Sequence, residues 1–271
     1  MKKIRILSVI VLLSAVFVSL KPEKEYSVTP AAFGVNYKEA SFVTKDGLQL
    51  KAWIFKPAKK SGTMIVLSHD GEGNMSSMIG LASYFTSLGF NVMTYDYRGY
   101  GGSAAFKINN NFVVYPQFAK DLDAAIDFAH KTYGITRVFL YGKGIGASLS
   151  IGACSNRRDV QKVIADSPYS DLVTYQKDMK VIEGKDVMIP LAYDKQLLDP
   201  KYALAGKYAK TSKYLLINGS EDKIHSTKKM KALAKINKTN VELFTVKKAD
   251  YSTTFSSDQA AYFERIKDFV K

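Results

Sequence analysis

With 271 residues, 46% of them hydrophobic and 24% charged, the chain is long enough for one large α/β domain and too apolar to be disordered. Its formal charge of +14 is spread as single and paired lysines, Lys207, Lys210, Lys228, Lys229 and Lys231 among them. No nucleic-acid-binding motif accompanies them, which argues against nucleic acid and leaves a solvated lysine-rich surface or, as the sharper reading, one attracted to an anionic membrane or polymer. The single cysteine, Cys154, excludes an internal disulfide and lies too far along the chain to be a lipid-modified N-terminal residue.

The N-terminus comes first. Met1-Lys2-Lys3-Ile4-Arg5 is a short basic region, and residues 6–20 are apolar apart from Ser8, Ser14 and Ser19. That is the pattern of a secretory signal peptide or, uncleaved, of an N-terminal membrane anchor over residues 1–20. Val18-Ser19-Leu20-Lys21 is a poor cleavage site, so both readings stand. Either predicts an exported protein, periplasmic or extracellular or held at the membrane.

Residues 21–36 read as a linker, and residues 37–271 as the folded domain. Residues 39–44 and 48–55 alternate apolar with polar around Asp46-Gly47, which predicts a tight antiparallel hairpin. Residues 63–68 form a continuous apolar run suited to a parallel strand buried on both faces. A helix is predicted over about 75–88, stopped by Gly89, then a strand at 91–95. The next helix spans 116–133, with Leu122, Ile126 and Ala129 on one face and Gly134 as its stop. Strands follow at 138–141, 163–166, 214–218 and 241–246, and a closing helix at 258–270. Strands alternating with helices predict an α/β fold with a mostly parallel central sheet covered on both faces. Ligands of such sheets bind at the carboxyl ends of the strands. The least regular stretch, about 169–210, lies where a small cap over the sheet would insert.

Strand 138–141 runs directly into Gly142-Lys143-Gly144-Ile145-Gly146 and a helix-compatible run at 147–153. A strand, a Gly-x-Ser-x-Gly turn and a helix make a nucleophile elbow, which lifts a serine hydroxyl above the sheet. Here the glycines are present, and the central residue is Gly144, with no side chain to attack anything.

Four segments in chain order resemble the α/β-hydrolase superfamily, most of all its bacterial lysophospholipase- and serine-aminopeptidase-like branch, over residues 37–271. They are Leu67-Ser68-His69-Asp70-Gly71-Glu72-Gly73-Asn74, Tyr95-Asp96-Tyr97-Arg98-Gly99-Tyr100-Gly101-Gly102-Ser103, the Gly144 turn, and Asn218-Gly219-Ser220-Glu221-Asp222. The second is the most specific match. The resemblance implies an α/β-hydrolase fold with nucleophile, acid and base in that order. The matching positions are Gly144, Asp222 and Tyr251, of which only Asp222 keeps its expected identity. A triad needs a hydroxyl or thiol, a base near neutral pKa and a carboxylate to orient it. Tyrosine, with a free pKa near 10, is a poor base. Asp70 stands where the family usually has glycine.

Other side chains of the right type for chemistry lie along the sequence. Ser148 is four residues beyond the turn and reads as a packing residue, and Ser103 as a turn or cap residue. His130 reads as a helix C-terminal residue. His225, three residues past Asp222, lies on the acid loop where it could face the site, and His69 reads as structural. His69-Asp70-x-Glu72 is too compressed to supply three inward metal ligands, so no metal or other cofactor is implied. The pocket residues expected at the corner are His69, Asp70, Gly71, Gly144, Ile145, Asp222 and Tyr251. The backbone N–H groups of Ile145 and Asp70 would suit a small acyl or carboxylate ligand, with the Asp70 side chain opposing an anion. Two functions follow: an inert scaffold that binds, its protein partner undetermined, or an unconventional hydrolase of a small ester, lipid or acyl substrate using His225 with Asp222 or His69 with Asp70.

Overall fold

A computed structural model describes residues 20–271. Residues 1–19, and with them nearly all of the expected signal or anchor, lie outside the described residues. Ten strands are formed among the described residues: β1 (Lys21–Pro22), β2 (Lys38–Val43), β3 (Gln49–Phe55), β4 (Thr63–Ser68), β5 (Glu72–Gly73), β6 (Asn91–Tyr95), β7 (Arg137–Lys143), β8 (Val160–Asp166), β9 (Lys213–Gly219) and β10 (Val241–Val246). The helices are α1 (Ile79–Ser87), α2 (Gln117–Tyr133), α3 (Ile145–Asn156), α4 (Leu172–Glu183), α5 (Lys195–Leu198), α6 (Pro200–Ala203), α7 (Thr227–Ile236) and α8 (Gln259–Val270).

Eight strands form one sheet in the order β10-β9-β8-β7-β4-β6-β3-β2. The β2–β3 and β3–β6 pairs are antiparallel and the others parallel. Every residue of β4 and β6 is buried, as an unbroken apolar strand between two helical layers must be. Two apolar clusters line the two sheet faces, one around Val66, Leu140 and α3, the other around Leu67, Tyr141 and α8. This is the α/β-hydrolase fold, with the hairpin around Asp46-Gly47 and the Gly89 and Gly134 stops where the patterning places them.

Residues 21–36 are not a free linker. β1 pairs in parallel with β5, and the Asn74 side-chain amide donates to the carbonyls of Glu23 and Glu25. The Tyr26 hydroxyl donates to Asp96, and its ring lies 4.8 Å from that of Trp53. Pro30–Phe33 form a single 3-10 turn. These ties run mostly through backbone carbonyls to irregular loops, so no apolar period announces them. Residues 169–210, expected as an irregular cap, carry α4, α5 and α6. Tyr175 of α4 faces His225, beyond the carboxyl end of β9, with ring centroids 5.8 Å apart.

Candidate active site: a hydrolase corner filled by a tyrosine

The corner forms where β7 turns into α3. Gly144 has φ 54° and ψ −116°, a backbone in which any side chain is strained. Its N–H donates to the Asp166 carbonyl of β8 at 2.9 Å. Gly146 lets α3 settle onto the sheet, since a Cβ there would stand 2.3 Å from the Ser68 carbonyl oxygen. All of α3 from Ile145 to Ser155 is buried, so the turn is fixed from beneath.

Tyr251 fills the space above Gly144. A Cβ at Gly144 would lie 2.3 Å from the Tyr251 hydroxyl oxygen and 3.2 Å from Asp70 Cβ. That hydroxyl donates to Asp70 Oδ2 at 3.2 Å, and the Lys143 ammonium stands 5.1 Å from the ring centroid. The residue as a whole is half-buried, but burial of its hydroxyl, reinforced by the Asp70 charge, raises the phenol pKa well above its ordinary value. The phenol is therefore a neutral donor and not a base. Burial likewise raises the Asp70 carboxyl, against the pull of Lys143 and the Glu72 N–H.

Asp222 is already engaged. Its Oδ1 accepts from the His225 backbone N–H at 2.7 Å, and its Oδ2 pairs with His225 Nδ1 at 3.0 Å. Burial pushes the Asp222 carboxyl up, but the imidazole and its hydrogen bonds outweigh this and hold it below the usual range. The His225 ring lies 5.2 Å from that of Tyr251. The corner thus holds an Asp222–His225 pair and a Tyr251–Asp70 pair side by side, with no nucleophile between them.

The other sequence candidates separate from this corner. Ser148 Oγ is buried, donates to the Gly144 carbonyl at 3.3 Å and accepts from the Tyr169 N–H at 3.2 Å. Ser103 Oγ donates to the Asp96 carbonyl at 2.8 Å and accepts from the Lys51 N–H at 2.9 Å. His130 Nδ1 meets the Ile135 carbonyl just past the end of α2. Glu72 pairs with Lys21 at 2.9 Å, turned away from His69. The expected pairing of His69 with Asp70 is not formed. His69 Nδ1 accepts from the Gly71 N–H at 3.2 Å, and its ring packs 4.6 Å from Tyr97 and 5.0 Å from Tyr100. Successive residues on this loop point apart, which the linear motif does not reveal. Two residues at the corner had no sequence signal: Lys143, and Tyr175, whose hydroxyl is buried without a hydrogen-bond partner.

Burial drops the His69 pKa to about 3. An unfolded-state histidine, near 6.5, takes up a proton that the folded state refuses, so this contribution is complete above pH 6.5 and is lost as pH falls toward 3. At about 1.4 kcal/mol per pH unit, the protein should lose about 2 kcal/mol more between pH 7 and pH 5 than a His69→Gln variant does. Urea midpoints at the two pH values measure this, and equal losses would remove His69 as the acid-sensitive group.

The sheet order, the turn and the acid loop together define the class: the chain has the α/β-hydrolase fold. The family model described as serine aminopeptidase, S33, matches residues 59–192. The chain is 26% identical over 244 residues to the uncharacterized protein YfhR of Escherichia coli K12, covering 86% of this chain and 80% of that one. It is 24% identical over 253 residues to the uncharacterized membrane protein YNL320W of Saccharomyces cerevisiae, covering 89% and 82%. Among solved structures, the Pyrococcus furiosus esterase Pf2001 superposes with a TM-score of 0.75 at 20% identity, covering 92% of this chain and 98% of the esterase. That last likeness is one of fold.

Proposed function

We propose that this is an exported, catalytically inert α/β-hydrolase-fold protein that binds a small acyl or carboxylate ligand or serves as a structural partner. One observation carries the reading: the Tyr251 hydroxyl stands 2.3 Å from where a Cβ at Gly144 would be, so the place of an attacking oxygen is filled by a neutral phenol held on Asp70. Covalent catalysis by a triad needs an activated nucleophile in that place. The Asp222–His225 pair supports a second reading, general-base hydrolysis of a small ester, because Asp222 orients the ring as a base requires.

Purified protein should give no labelling by a fluorophosphonate probe and no turnover of activated acetyl or butyryl esters above a heat-denatured control. Labelling at any serine ends the inert reading. Unlabelled protein with ester turnover that disappears in His225→Ala transfers the function to the second reading.

A further inference from the structure

Leu20 enters the folded body with no slack. Its side chain is buried and stands with Ile145 against Gly71, where a Cβ would meet Leu20 Cδ2 and Ile145 Cδ1 at 2.8 Å each. The Lys21 N–H donates to the Gly71 carbonyl at 2.9 Å, and the Glu23 N–H to the Gly73 carbonyl at 3.0 Å. The apolar run 6–20 is therefore joined without a spacer to the loop beside Gly144, at the carboxyl edge of the sheet. Fifteen residues would reach about 22 Å even as a helix, against roughly 30 Å of bilayer hydrocarbon. Were a run so short and so directly joined to enter lipid, it would hold that edge against the bilayer.

The same edge carries a matching surface. Ten large hydrophobic residues are exposed among the described residues, and five of them, Val173, Val181, Ile182, Met188 and Leu191, lie within 173–191. On α4, Leu172, Tyr175 and Met179 turn inward, while Val173, Lys177, Lys180 and Val181 are exposed. The following loop is pinned to the carboxyl side of the sheet, since the Val113 N–H donates to the Met188 carbonyl at 2.9 Å and the Met188 N–H to the Asn111 carbonyl at 2.7 Å. Leu191 is fully exposed. Lys180 pairs with Asp186, and Glu183 stands on the same stretch, so this face is not strongly basic and its attraction to lipid is apolar.

We propose that the outer face of α4 and the loop to Leu191 rest on a lipid bilayer, drawn there by a retained N-terminal run, so that the Tyr251-filled corner lies at the membrane surface. The inference does not depend on the corner being inert.

Three full-length variants test it: Leu191→Cys, Val181→Cys and, on the exposed loop at the opposite edge, Lys59→Cys. Each is labelled with the fluorophore NBD and mixed with vesicles of phosphatidylcholine and phosphatidylglycerol, with and without brominated acyl chains. Cys154 is buried and stays unlabelled. Bromine should quench the probes at 191 and 181 by roughly twofold or more and leave the probe at 59 unchanged, as expected for an interfacial face. Equal, unquenched emission at all three sites in vesicle-bound protein overturns the proposal. So does failure of the full chain to co-float with vesicles, or shielding of 191 and 181 by a second copy of the chain without lipid.

Discussion

A variant carrying Gly144→Ser alone should unfold at a lower temperature than the parent and still cleave no ester, whereas Gly144→Ser with Tyr251→His should gain esterase activity. The single change forces a side chain onto φ 54°, and its Cβ into the space 2.3 Å from the Tyr251 hydroxyl. Backbone strain of about 1–3 kcal/mol and overpacking of similar size act together. At about 2–4 °C per kcal/mol for a chain of this size, the loss should be roughly 5–15 °C. Shortening Tyr251 to histidine removes the clash and sets an imidazole beside the new hydroxyl. Its difficulty is Asp222, whose two oxygens are both held by His225. A third change, His225→Val, frees Oδ2 to orient the new base.

Activity should therefore rise in the order single, double, triple. The double variant should exceed the heat-denatured background by about 10²-fold and the triple by about tenfold more, within the range of general-base catalysis. Asp70 would still face the developing oxyanion and limit the gain. Ester hydrolysis beside melting temperatures for all four proteins decides the matter. A folded triple variant with no activity would show that the corner has lost more than its reactive groups.

The sheet was legible because its strands are buried on both faces and read as unbroken apolar runs, as in residues 63–68. The turn at Gly144 was legible because close packing and a positive φ both demand glycine and leave it in the chain as a spacing. Chain order alone pointed to Tyr251. What order could not convey is reach: nothing in Lys248-Ala249-Asp250-Tyr251-Ser252 says that the phenol extends to Gly144 and is fixed there by Asp70, 181 residues earlier. His225 was legible as a neighbour of Asp222, but its capture of both carboxylate oxygens depends on the loop's backbone path. Residues 21–36 read as a linker because most of their ties, those of Tyr26 apart, run through the backbone to loops, which leaves no period in the pattern of side chains.

Replacing Arg98 with methionine should be among the most damaging single changes to stability, costing about 3–5 kcal/mol. Arg98 Nε and Nη2 donate to Asp121 Oδ1 at 2.8 and 2.7 Å, and its backbone N–H donates to Asp121 Oδ2 at 2.9 Å. Nη1 and Nη2 also donate to the two oxygens of Asp46, each at 2.9 Å. One planar fork thus joins the turn after β6 to α2 and to the tip of the β2–β3 hairpin, and lysine could not reproduce it. Asp121 is fully buried, so removing the guanidinium strands a carboxylate that burial already drives toward protonation. Changing both partners, Arg98→Met with Asp121→Leu, should cost less than Arg98→Met alone, because no uncompensated buried charge remains and Asp46 is partly exposed. The same turn carries Tyr100, whose hydroxyl donates to the Gly71 carbonyl at 2.9 Å and so braces the loop beside Gly144. Loosening it should therefore also lower the activity of the repaired triple variant. Denaturant midpoints for the single and double variants measure the first effect, and a double variant less stable than the single would show that the fork contributes more through its geometry than by neutralising Asp121.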